Sequence, residues 1–146
     1  MLFVLFMVPR FLIAFFVLRS DVAPLTSTFP SGTSMITTHV LDTARGRPAA
    51  GMAVVLEVSV GKHEWRTIGY GETDADGRLR RLVPEGSVVA PGVYRLVFDT
   101  RHYFERQGTA AFYPHVIVVF QTLPNEAHYH VPLLVGPFGY TTYRGS

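Results

Sequence analysis

The chain has no cysteine among its 146 residues. Disulfide staples, thiolate metal sites and a cysteine nucleophile are therefore excluded. The compartment stays open, because a secreted protein can also do without disulfides. Charge is scarce as well, at 16% of residues against 48% hydrophobic. That balance argues against extended disorder and for a buried core in one domain. The formal net charge is only +2, and no basic run is longer than Arg80-Arg81. A nucleic-acid partner is not expected from so scattered a charge, despite a pI near 9.2. No Gly-x-Ser-x-Gly elbow occurs, and no glycine loop is followed by the Lys-Ser/Thr that cradles phosphate. Beyond the first residues there is no room for a long helix, because 13 glycines and 10 prolines punctuate the chain.

The one long apolar run is the first. "MLFVLFMVPRFLIAFFVL" carries Pro9 and Arg10 near its middle. A spanning helix needs about 20 apolar residues without a central charge. A signal peptide needs a positive region ahead of the apolar one, and "DVAP" at 21–24 is a poor cleavage site. "RSDVAPLTSTFPSGTS" then reads as a Ser/Thr/Pro/Gly linker. Residues 1–34 are accordingly expected to be a leader and linker: processed, disordered, or the product of a start that truly lies at Met35. Residues 35–146 form the expected domain. A cytoplasmic setting is expected, with export through the leader as the alternative. No membrane role is expected of the folded part.

From Met35 onward, short β-prone runs alternate with turn signals. The runs are 35–42, 52–60, 65–73, 78–83, 92–100, 115–122, 128–136 and 139–145. "RHYFERQG" (101–108) breaks the rhythm as a two-turn helix. The pattern predicts an all-β antiparallel sandwich of eight strands with one short helix. "ETDADG" (72–77) imitates the start of a calcium loop. The residue six places after its glycine is Val83, not Glu, so a tight turn is expected instead.

Imidazoles and arginines are the remaining source of chemistry. In "HYH" (128–130) the two histidines are two residues apart, so in a strand they share a face. With His39 or His115 as a third ligand they could hold a metal. His39 shares a face with Thr37 and Leu41. Singly, His39 is a half-buried strand residue and Arg78 a solvated arginine. Together, imidazoles and guanidinium suit water attack on a polar substrate: imidazole moves protons near neutral pH, and Arg offsets charge on oxygen.

The segments "THVLDTARGRPAAGMAVVLEV", "TDADGR", "GVYRLVFDTRHYF", "FYPHVIVVF" and "HYHVPLLVGPFGYTTYRGS" resemble 5-hydroxyisourate hydrolases, the enzyme branch of the transthyretin-like proteins. The resemblance runs from about Met35 to Ser146. It implies a sandwich of two four-stranded sheets with a short helix after the fifth strand. It also implies a homotetramer, a dimer of dimers with active sites in a channel between dimers. The reaction implied is hydrolysis of 5-hydroxyisourate to 2-oxo-4-hydroxy-4-carboxy-5-ureidoimidazoline in urate degradation, without metal or cofactor. By the same resemblance the catalytic residues are His39, Arg78 and His130, and Tyr143, Arg144, Gly145 and Ser146 join them in binding substrate. One departure is Val135-Gly136, where the family often has a Ser-Pro-type turn. The alternative is a transthyretin-like carrier, which lacks the two histidines, the arginine and the Tyr-Arg-Gly-Ser ending.

Overall fold

The computed structural model describes residues 35–84 and 87–146; the expected leader and linker lie outside the described residues. Two β-sheets pack face to face. The first is built on β1 (Met35–Asp42), which alternates so that Ile36, Thr38, Val40 and Asp42 are buried on the inner face. β8 (His128–His130) and β9 (Leu133–Gly136) run parallel to β1. Their antiparallel counterparts are β5 (Arg78–Leu79) and β2 (Arg47–Pro48). β10 (Gly139–Thr142) extends the sheet beyond β9. The second sheet has the order β4 (Glu64–Glu72), β3 (Ala53–Gly61), β6 (Gly92–Phe98), β7 (Val116–Thr122), all antiparallel.

The strand count differs from the eight expected, and each difference has a local cause. The run 128–136 is divided at Val131-Pro132. Proline has no N–H to give to the ladder, while Val131 N–H still bonds the Thr37 carbonyl at 3.0 Å. The run 78–83 pairs with β1 over two residues only. Beyond Leu79 it swings against β4, where the Leu82 carbonyl occupies the space a Cβ on Gly69 would need. Arg47–Pro48, expected as loop, closes on Asp42 and Leu41 as a two-residue strand. β8 and β9 therefore lie in line as one interrupted strand, and β5 and β2 as another. The first sheet thus holds six segments where four strands were expected, laid out in four positions across its width.

The core between the sheets is apolar. Val54 and Leu56 of β3 and Leu96 and Phe98 of β6 face Ile36 and Val40 of β1 and Leu133 and Val135 of β9, all essentially without exposure. Burying each such side chain contributes about 1.5–3 kcal/mol. The helix α1 (Thr100–Glu105) follows β6, with Asp99 as its cap accepting from His102 N–H. Its Tyr103 and Phe104 are buried. The Tyr103 hydroxyl donates to the buried Asp42 carboxylate at 3.0 Å, which ties the helix to the end of β1. No helix among the described residues is long and apolar enough to cross a membrane.

Candidate active site

The outer face of the first sheet collects the chemistry. Since Ile36, Thr38 and Val40 point inward, Met35, Thr37 and His39 point outward. Residues opposite one another across a ladder share a face. The register sets Met35 against His128, Thr37 against His130 and His39 against Arg78. Three imidazoles and a guanidinium, 91 positions apart at their extremes in sequence, thus stand side by side on three adjacent strands.

The turn before β5 aims the guanidinium. Asp74 accepts N–H bonds from Asp76 and Arg78 at 2.9 and 2.8 Å, and Gly77 takes a positive φ of 72°. The "DADG" carboxylate is therefore engaged in holding a turn, as the sequence led one to expect. A hollow of about 280 Å³ opens over this face, walled by Thr37, Arg78, Arg80, His128, His130 and Ser146. His39 stands next to Arg78 in the register but is not part of that wall. The His128 and His130 rings are nearly parallel, with centroids 6.3 Å apart. Between them, the Thr37 hydroxyl lies 3.1 Å from His128 Nε2 and 2.9 Å from His130 Nδ1.

The chain end folds back onto this hollow. Gly145 N–H bonds the His130 carbonyl at 2.9 Å and forms a bridge with that residue. A Cβ at Gly145 would overlap the His130 imidazole. Ser146 reaches the wall, whereas Tyr143 and Arg144 line a second hollow of about 260 Å³ beside Phe120 and Tyr129. His130 borders both. Arg144 pairs with Glu126 at 2.6 Å and lies over the Tyr129 ring. The four terminal residues are thus divided between two sides of one imidazole.

Burial lowers the pKa of His130, and repulsion from His128, Arg78 and His39 lowers it further. A neutral imidazole beside a fixed cation can accept or pass a proton near pH 7. As for the metal alternative, His115 begins the approach to β7 in the other sheet. No group of three or more His, Cys, Asp or Glu side chains among the described residues is placed to hold a metal ion. Sequence reasoning passed over Thr37 and Arg80; alternation did place Thr37 on the face of His39, and that signal could have found it. A larger hollow of about 470 Å³ lies between β4 and residues 81–84, but it has neither imidazole nor carboxylate on its wall.

Residues 36–145 match the model of the HIUase/transthyretin family. The chain is 42% identical over 130 residues to 5-hydroxyisourate hydrolase of Salmonella dublin, covering 89% of this chain and 94% of the relative. The solved 5-hydroxyisourate hydrolase of Klebsiella pneumoniae superposes with a TM-score of 0.68 at 32% identity, covering 77% of this chain and 99% of that one. Sea bream transthyretin, solved with thyroxine, superposes at 0.70 with 35% identity, covering 75% of this chain and 93% of that one.

Proposed function

The chain belongs to the HIUase/transthyretin family, and on that premise we propose that it hydrolyses 5-hydroxyisourate to 2-oxo-4-hydroxy-4-carboxy-5-ureidoimidazoline. The fold cannot choose between hydrolase and carrier, since both structural neighbours fit it equally well. What carries the reading is the register that gathers His39, Arg78 and His130 on one outward face, with the chain end closing over His130.

The substrate is a planar oxidised purine with an activated ring carbonyl–nitrogen bond. Water attacks that carbonyl; His39 takes the proton from the water, and His130 orients it or protonates the leaving nitrogen. Arg78 binds the flat, polar ring and offsets charge on the tetrahedral oxygen. Gly145 and Ser146 hold the substrate from the His130 side, Tyr143 and Arg144 from the second hollow. The reaction calls on no metal or cofactor, and it is set in the cytoplasm unless residues 1–34 direct the protein elsewhere.

We further propose a homotetramer, a dimer of dimers. The support is an unsatisfied edge: β7 pairs with β6 alone among the described strands and exposes Ile117 and Val119. Such an edge is a template for pairing with another copy.

The test is spectroscopic. 5-Hydroxyisourate is generated with urate oxidase, and its disappearance is followed with and without purified protein. Acceleration is expected. His39→Ala and His130→Ala should each lose about 10²–10⁴ in rate, and Arg78→Ala should raise the barrier by about 3–4 kcal/mol, all with the fold intact. Decay no faster than in buffer, with thyroxine-like ligands bound instead, would make the protein a carrier.

A further inference from the structure

Thr37 contacts both imidazoles of the "HYH" segment at ordinary hydrogen-bond length, and its remaining neighbour, the Tyr129 carbonyl, is 3.4 Å away. A hydroxyl has one proton to give and lone pairs to receive. At 3.4 Å the carbonyl contact is long and weak. Both ring contacts are therefore best satisfied when one imidazole donates to Thr37 and Thr37 donates to the other. Two such chains exist, running in opposite directions, and each proton on the line sits one place further along in one than in the other. One end of the line, His128, is exposed; the other, His130, is half-buried on the wall of the hollow.

Building on the hydrolase reading above, we propose that His128, Thr37 and His130 form a proton relay that resupplies His130 from solvent during ring opening. His130 faces His128 on its own strand, His39 from β1 and Arg78 from β5. Arg80 lies on the same wall, and Arg144 of the chain end is held by Glu126. Burial first, and then repulsion from His128, Arg78 and His39, disfavours an imidazolium and lowers the pKa of His130, so the neutral ring prevails near pH 7. A neutral imidazole can release a proton from one nitrogen only if the other nitrogen receives one.

The step balances as follows. The water oxygen bonds to the ring carbonyl carbon, and the carbon–nitrogen bond breaks with its electron pair left on nitrogen. That nitrogen takes the proton of His130 Nε2. His130 Nδ1 then takes the Thr37 hydroxyl proton, Thr37 Oγ1 takes the proton of His128 Nε2, and His128 Nδ1 takes one from solvent. The proton lost by the attacking water goes to His39 and on to solvent. One water is consumed and the protein gains no net proton, but the line is left running in its opposite direction. Once product has gone, His130 Nε2 takes a proton from water in the hollow, the line shifts back through Thr37, and His128 Nδ1 returns a proton to solvent before the next turnover.

Three variants and one spectrum test the relay. Thr37→Val should lower kcat roughly 10-fold to 100-fold, up to the lower limit of what loss of a general acid–base itself costs, with KM little changed. Thr37→Ser, which keeps the hydroxyl, should recover most of that loss. His128→Gln should also lower kcat, and imidazole added to the buffer should restore it; the same imidazole should not rescue Thr37→Val. Nitrogen chemical shifts of the free protein should show His130 protonated at Nε2 and accepting at Nδ1, with the Nδ1 signal displaced in Thr37→Val. Unchanged kcat in Thr37→Val, or a His128→Gln defect indifferent to imidazole, overturns the relay while an active wild type leaves the hydrolase reading standing. A wild type without activity overturns the hydrolase reading, and the nitrogen spectra then still decide whether the hydrogen-bonded chain exists; an Nδ1 signal unmoved by Thr37→Val says that it does not.

Discussion

At the scale of the residue, His130 has the most constrained position in the site. Its neighbours include Thr37 on β1, the bridge from Gly145, and the charges of Arg78 and His39. Its pKa is depressed from the ordinary imidazole value of about 6.5, first by burial. As pH falls below 6.5, the unfolded chain protonates this imidazole before the folded one does, so the unfolded state binds more protons. Stability is therefore lost as pH drops from 6.5 through the lower folded value, and is unaffected above. Urea melts across that window should show wild type losing stability toward acid more steeply than His130→Gln; parallel curves would remove His130 as the cause. Gly145 supplies a second prediction. Its alanine variant forces the new methyl into the His130 ring, so kcat should fall at least several-fold by analogy with misplaced catalytic groups. Gly139→Ala, with open space around it, is the control and should turn over normally. Equal rates for the two variants would separate the chain end from catalysis.

At the scale of the element, two short segments position the site. The "DADG" turn sets Arg78 against His39, and its Gly77 lies in the left-handed region. Alanine there would cost roughly 1–2 kcal/mol in backbone strain alone, and its Cβ would overlap the Val40 carbonyl. Gly77→Ala should melt at a lower temperature and should lose kcat/KM as Arg78 shifts; calorimetry beside the turnover assay checks both. The terminal segment after β10 is the other. Removing 143–146 takes away the bridge to His130, the Ser146 wall and the Arg144–Glu126 pair together. Activity should fall far more than melting temperature, because none of these residues belongs to the buried core. A trimmed chain with full activity would show that the ending is a dispensable tail.

At the scale of the whole molecule, the described residues supply two packed sheets with an apolar core between them. A chain beginning at Met35 should therefore fold, and under the tetramer proposal it should sediment as a tetramer. Insolubility of that shortened chain would give residues 1–34 a structural part. A soluble monomer would leave the sandwich standing and remove the tetramer.

Sequence alone determined the sheet character, the short helix and the face that His39 shares with Thr37. Each of these follows from near neighbours: alternation along a strand, an Asp cap at residue 99, and glycine and proline at the turns. The same local chemistry made "DADG" a turn and not a metal loop. Only the tertiary structure decided that His130 sits opposite Thr37, that Arg78 sits opposite His39, and that Gly145 returns to His130. It also decided the division at Pro132, the short reach of β5, and the separation of Ser146 from Arg144 onto two hollows. The physical reason is register: a strand's alternation sets which face a side chain takes, but not the residue it meets there. That depends on how partner strands from distant parts of the chain align across the ladder, and a shift of one residue would turn the whole partner face away.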